Sequence, residues 1–99
     1  MRLDLVIGGG TVATASEEFV ADVGVADGRI AAVARDLPKG AEEVDASGLQ
    51  VMPSGVDAHC HVDEPDYLGA KLADDFASAT RAAACGGTTT IMPFAASRT

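Results

Sequence analysis

Two histidines and an aspartate occupy alternate positions in residues 55–62, which read GVDAHCHV. Because successive side chains of a strand point to opposite faces, Asp57, His59 and His61 share one face if this stretch is extended. Two imidazoles at positions i and i+2 can converge on one metal ion, and a nearby carboxylate can fix the tautomer of an imidazole. The pattern predicts His59 and His61 as metal ligands supported by Asp57. Two histidines on a solvent-facing strand or in a hydrogen-bonded core would look the same.

A strand, a helix and a second strand are predicted after Pro53, and the histidines lie on the first of them. Residues 55–62 can form a strand, residues 73–85 carry apolar side chains at helical spacing, and residues 88–92 read TTTIM. This order predicts a parallel pair with a right-handed crossover, and the carboxyl ends of such strands line active sites in parallel barrels. The predicted helix has an apolar stripe facing a core, two acids in its first turn and a glycine stop: Leu72, Phe76, Ala79, Ala83; Asp74, Asp75; Gly86, Gly87.

The first 52 residues consist of short β segments separated by turn residues. A tight turn is predicted at residues 8–10, three glycines that no nucleotide-binding pattern follows. Asp27-Gly28 lies between two apolar segments, which is the strongest short-range hairpin signal. A further strand pair is predicted over residues 43–45 and 49–52, joined by a turn. We therefore expect a small antiparallel, sandwich-like β domain over residues 1–52 and the start of an α/β domain over residues 53–99.

Charge and composition restrict the classes of partner. Seven basic and 15 acidic residues give a net charge of -8, which disfavours nucleic acid and anionic membrane surfaces. No apolar run approaches the roughly 20 residues of a membrane span, and residues 1–10 lack a cleavable signal pattern. Cys60 and Cys85 are too few for a disulfide framework. A cytoplasmic protein with reduced thiols is expected.

The stretch GVDAHCH resembles the GxDxHxH signature on the first barrel strand of the amidohydrolase superfamily, where a small β domain also precedes it. Four longer segments are similar to the start of the hydantoinase and dihydropyrimidinase group. They are DLVIGGGTV, ADVGVADGRIAAV, VDASGLQVMPSGVDAH and ADDFASATRAAACGGTTTIMPF. The similarity keeps its order and spacing over nearly all 99 residues.

This resemblance implies a (β/α)₈ barrel with two divalent metals, usually zinc, that activate a bridging hydroxide to open a small cyclic amide. His59 and His61 would ligate the more buried metal, and the whole enzyme would be a homo-oligomer, a tetramer by resemblance. The family's carboxylated lysine, two further histidines, an aspartate and a tyrosine come from later strands and match no residue here; Lys71 precedes the helix and is a loop lysine. Because such a barrel takes about 250 residues, we expect an N-terminal piece of a larger enzyme, inactive alone.

The residues after His61 bear on the substrate. Relatives that act on dihydroorotate carry an arginine at the position of Asp63, where it can grip a carboxylate, so Asp63 favours a neutral hydantoin or dihydropyrimidine. Residues 61–65, HVDEP, also resemble the HxxEP pattern of allantoinases. Asp63 and Glu64 begin a loop, residues 63–72, that would contact substrate or be plain surface. An allantoinase, a dihydroorotase-type enzyme, and a non-catalytic β-rich binding or structural module remain alternatives.

Overall fold

The computed structural model describes residues 2–65 and 69–95. The chain divides at residue 53 into two compact units. The described part has seven strands and one helix: β1 (Leu5–Ala13), β2 (Glu18–Ala26), β3 (Arg29–Ala34), β4 (Glu42–Asp45), β5 (Gln50–Val51), β6 (Gly55–Cys60), α1 (Phe76–Cys85) and β7 (Thr88–Pro93). Strands β1 to β5 belong to the first unit, and β6, α1 and β7 belong to the second. No helix in the described ranges is long and apolar enough to cross a membrane.

The first unit contains a five-stranded mixed sheet in which β3, β2, β1 and β4 are neighbours and β5 also pairs with β1. The predicted Asp27-Gly28 hairpin is confirmed: β2 and β3 are antiparallel, and both turn residues have positive φ, 52° and 72°. Such values are those of the type I′ turn, whose twist matches that of the flanking strands. The antiparallel prediction therefore holds for β1, β2 and β3.

The prediction for the last two strands of this sheet is wrong. Instead of pairing with each other, β4 and β5 both run parallel to β1, with Glu42–Asp45 along residues 5–8 and Gln50–Val51 along residues 11–12. The turn between them closes on Ala46, whose N–H donates to the Gly8 carbonyl at 2.8 Å, while Leu49 accepts from the Thr11 N–H at 3.0 Å. Strands β4 and β5 thus occupy successive parts of one edge of β1, because backbone groups of β1 bond to the chain on both sides of the turn.

The glycine triplet lies inside β1 and does not form the predicted turn. The register of β1 against β2 shifts between Ile7 and Gly10, and Gly9 has a φ of 74°. An extra residue with positive φ in one strand of a pair is a β-bulge, for which glycine is favoured. A side chain on Gly10 would have its Cβ 2.7 Å from Val51 Cγ2, so β5 could not approach this closely. The glycine triplet therefore forms a bulge in β1 and leaves room for β5 to pair with it closely.

Apolar side chains cover one face of this sheet. Val12, Ala21 and Val23 are buried, with Ile7, Phe19 and Val51 packed against them. Residues 2–53 contribute one sheet, which is a single layer, so the sandwich-like arrangement stays a prediction. Large apolar side chains elsewhere in this unit are exposed: Val20, Ile30, Val33, Val44, Leu49 and Met52.

The second unit has the predicted strand, helix and parallel strand, since β6 pairs in parallel with β7 and α1 lies between them in sequence. Strand β6 ends at Cys60, two residues earlier than predicted. The helix begins at Phe76 because Asp75 caps it: the Asp75 carboxylate accepts from Ser78 N–H at 2.8 Å, and Ser78 Oγ accepts from the Asp75 N–H at 3.2 Å. Asp74 and Asp75 thus precede the first turn and do not lie within it.

The ends of α1 follow from this capping and from the glycines after it. The hydrogen bond from the Ser78 N–H, together with that from the Ser78 side chain, lowers the pKa of the Asp75 carboxyl from its ordinary value of 3.8. Gly86 donates to the carbonyls of Ala82 and Ala83 at 3.1 Å, and Gly87 leaves the helix with a φ of 89°, as the glycine stop predicts. The apolar stripe is only half covered: Ala79 is partly buried, whereas Phe76 is 49% exposed.

Candidate metal centre

The ladder between β6 and β7 is interrupted where the first histidine lies. Asp57 pairs with Ile91, the register then shifts, and pairing resumes between Cys60 and Pro93. Within the interruption the Asp57 carboxylate accepts the backbone N–H of His59 at 3.0 Å. Irregularities of this kind re-aim a side chain and are common next to active sites. Asp57 therefore acts on the backbone of His59, whereas the sequence pattern predicts that it holds an imidazole.

Phe94 brings the two imidazoles into one cluster. Its N–H donates to the Cys60 carbonyl at 3.0 Å, which continues the strand pairing past the end of β7. The Phe94 ring stacks on His61, with centroids 4.5 Å apart and planes 8° apart, and meets His59 edge-on at 4.8 Å. No motif in the sequence predicts Phe94 as part of the site, because the only signal for Phe94 is its position one residue beyond the second parallel strand.

The spacing of the imidazoles fits two ligands of one metal ion. Their ring centroids are 5.5 Å apart. A Zn–N bond of about 2.1 Å places a ligating imidazole centroid about 3.2 Å from the metal, so two such rings have centroids at most about 6.4 Å apart. The observed separation lies inside this limit. His59 and His61 can therefore converge on one divalent ion, with nitrogen donors of the type that zinc prefers.

The carboxylate that contacts an imidazole belongs to Glu64. Its Oε1 lies 2.6 Å from His61 Nδ1, and the side chains of His61 and Glu64 are 51% and 24% exposed. This pair lies beyond the end of β6, where the alternation used to select Asp57 no longer applies. The same bend that returns Glu64 to His61 contains Asp63, which has a φ of 48°.

An acidic cleft includes Glu64, the residue whose carboxylate contacts His61. It is lined by Asp63, Glu64, Lys71, Leu72, Ala73, Asp74 and Asp75. The Asp63 N–H donates to the Asp74 carbonyl at 3.3 Å, which joins the start of the loop to the approach of the helix. Residues 66–68 of the predicted substrate loop lie outside the described residues. The described residues that line the cleft carry four carboxylates and one ammonium group, so they favour neutral or cationic groups over anions.

His59 and His61 by themselves would be an incomplete metal site. Among residues 2–65 and 69–95, no group of three or more histidine, cysteine, aspartate or glutamate side chains could hold a metal ion. Catalytic zinc sites use three protein ligands and leave one position for water or substrate. A metal ion held by these two histidines would need at least one further protein ligand from outside the described residues.

Comparison with known proteins extends the resemblance seen in the motifs. No family model matches the chain. It is 45% identical over 92 residues to the D-hydantoinase of Rhizobium radiobacter, covering 93% of the chain and 20% of that enzyme. It is 56% identical over 87 residues to the allantoinase of Rubrobacter xylanophilus, covering 87% of the chain and 18% of that enzyme. These relatives are cyclic amidohydrolases, and the chain spans about a fifth of their length.

Solved structures give the same result. A D-hydantoinase superposes with a TM-score of 0.85 at 44% sequence identity, covering 93% of this chain and 20% of that one. The N-acyl-D-glutamate deacylase of Bordetella bronchiseptica, solved with zinc and a phosphonate inhibitor, superposes with a TM-score of 0.59 at 39% identity, covering 64% of this chain and 14% of that one. The similarity to the hydantoinase group is confirmed, and a free-standing binding or structural module is not favoured.

Proposed function

We propose that these residues belong to a metal-dependent cyclic amidohydrolase and supply two histidine ligands from the first strand of its (β/α)₈ barrel. The convergence of His59 and His61 at the carboxyl end of β6 is the observation that carries the proposal. It is supported by the parallel β6 and β7 pair and by the match of 93% of the chain to a D-hydantoinase. On this proposal β6 and β7 are the first two barrel strands, and active sites of such barrels lie at that end.

The chemistry of amide hydrolysis explains why histidines are needed here. An amide carbonyl is a poor electrophile and water is a poor nucleophile. A bound divalent metal would polarise the carbonyl and lower the pKa of the water. By resemblance the metal would be zinc, with two ions per site. His59 and His61 would hold one ion through neutral imidazole nitrogens. Phe94 fills the space against both rings and so limits the rotations by which either imidazole could leave the site.

The acidic cleft favours an uncharged cyclic amide as substrate. Asp63 and Glu64 line it, and an anionic ring entering there would face four carboxylates and one ammonium group among the described lining residues. A hydantoin or dihydropyrimidine avoids this repulsion. Allantoin is the second candidate, because the relative with 56% identity is an allantoinase.

The test uses the full reading frame that contains these residues. The purified protein should contain divalent metal, and its kcat/KM for dihydrouracil, phenylhydantoin or allantoin should exceed that for dihydroorotate by at least tenfold. His59→Ala and His61→Ala should each lose metal and activity while remaining folded, since catalytic metal sites contribute less to folding than closed structural sites. Cys85→Ser is the matched control, because Cys85 is an exposed metal-capable side chain at the far end of α1. A metal-replete, active His59→Ala variant would contradict the proposal, and a preference for dihydroorotate would contradict the substrate assignment.

A further inference from the structure

We propose that Glu64 is a positioning residue of the metal centre, which holds the His61 ring by its Nδ1 atom and so presents Nε2 to the metal. This inference rests on the proposed function, because it assigns a role to Glu64 only if His61 is a ligand. Its evidence is the 2.6 Å contact between Glu64 Oε1 and His61 Nδ1. The sequence places Glu64 in a loop expected to contact substrate, whereas this contact gives Glu64 a role toward His61.

The direction of the hydrogen bond follows from its partners. An ionised carboxylate can only accept, so the hydrogen in this contact lies on Nδ1. A neutral imidazole carries one ring hydrogen, and when that hydrogen is on Nδ1 the Nε2 lone pair is free to bind a cation. Carboxylate partners of this kind orient metal-ligating histidines and raise their basicity. Glu64 therefore selects the tautomer in which Nε2 is the ligand.

A second contact restricts the remaining freedom of the same ring. Phe94 lies parallel to the His61 imidazole at 4.5 Å, so the ring cannot turn about its Cβ–Cγ bond without losing that stack. The Glu64 hydrogen bond also resists a half-turn of the ring, because that turn would put the Cδ2 carbon in the place of Nδ1. The plane of His61 is thus set by Phe94 and its orientation within that plane by Glu64.

The local backbone explains how a residue three positions later reaches the ring. Asp63 has a φ of 48°, which reverses the chain between His61 and Glu64, and its N–H is tied to the Asp74 carbonyl. Aspartate tolerates this left-handed conformation better than most residues. The bend at Asp63 therefore brings the Glu64 carboxylate next to the His61 ring.

The test measures metal affinity of the full-length protein by competition with a chelator, together with the absorption spectrum of the cobalt(II) form. Glu64→Met, which keeps length but removes the acceptor, should weaken affinity about 10- to 100-fold and alter the cobalt spectrum. Glu64→Gln, which keeps an acceptor oxygen, should lose less. The melting temperature of the metal-free protein should change in neither. Glu17→Met is the matched control at an exposed loop position in the other unit.

His61→Ala separates failure of this inference from failure of the proposed function. If His61→Ala loses metal while Glu64→Met binds it like the control, Glu64 has no positioning role and the inference is overturned. If His61→Ala also retains full metal affinity, His61 is no ligand, and the proposed function falls with the inference. A graded loss from Glu64→Gln to Glu64→Met to His61→Ala supports both. Should Glu64→Met fold poorly, Glu64→Ala takes its place, because it also removes the acceptor; unchanged metal affinity and an unchanged cobalt spectrum in Glu64→Ala overturn the inference.

Discussion

Asp57 stabilises the site through the main chain. Its carboxylate takes the place of a ladder partner for the His59 N–H, at the point where pairing with β7 is interrupted. Asp57 and His59 are both exposed, so this hydrogen bond acts by holding the backbone at His59 and not by satisfying a buried amide. The direction in which His59 projects therefore depends on an acceptor two residues earlier.

Replacing Asp57 should consequently impair metal binding in a graded way. Asp57→Asn keeps an oxygen acceptor for the His59 N–H and should retain metal affinity within a few fold. Asp57→Ala removes the acceptor and should weaken metal affinity by about tenfold or more, the range seen when groups that orient ligands are lost. Chelator competition on the full-length protein measures both, and equal affinities in the two variants would show that the acceptor is not what matters.

At the scale of elements, α1 depends on its cap because none of its residues is fully buried. The Asp75 carboxylate accepts from Ser78, and the lowered pKa of Asp75 is the electrostatic counterpart of that bond. Since the folded-state pKa lies below the ordinary value of 3.8, the cap contributes stability that is fully present above that value. That stability is lost as the pH falls through the folded-state pKa.

The pH dependence of unfolding can isolate this cap. Asp75→Asn should lower the melting temperature of the full-length protein at pH 7, and the difference from wild type should shrink as the pH is lowered below about 4. The Asn side chain can still cap a helix, so the difference reports the charge. Asp27→Asn at the exposed hairpin turn is the control, and a difference that stays constant down to pH 2 would contradict this explanation.

Local chemistry made the hairpin and the helix stop predictable, whereas long-range pairing decided the rest. Asp27, Gly28 and Gly87 have positive φ angles, which their residue types tolerate better than most, so sequence alone identifies these turns. The parallel placement of β4 and β5 depends on the free edge of β1, which no local pattern encodes. Similarly, alternation pointed to Asp57 and could not identify Glu64, because β6 ends at Cys60 and Asp63 reverses the chain.

At the scale of the whole molecule, the described residues hold two imidazoles and no third metal ligand beside them. The 99-residue chain alone should therefore show no hydrolysis of dihydrouracil or hydantoin, because a metal bound by two ligands lacks the groups that bridge metals and transfer protons. The assay is ring opening by the purified chain with added zinc, with the full-length protein as positive control. Turnover that a chelator abolishes would contradict this expectation.

The two-stranded sheet of β6 and β7 has a consequence for the order of assembly. Among the described strands, β6 and β7 pair only with each other, so each has an outer edge at which another strand could pair. Val56 and Met92 on these strands expose 61% and 56% of their surface. A parallel pair also forms slowly, since a long connection must close before its contacts are gained. On the proposed function, these edges pair with other barrel strands, so the histidines lie on strands whose stability depends on those neighbours. The metal would then bind only after these strands have folded with their neighbours, so bound metal would indicate a completely folded protein.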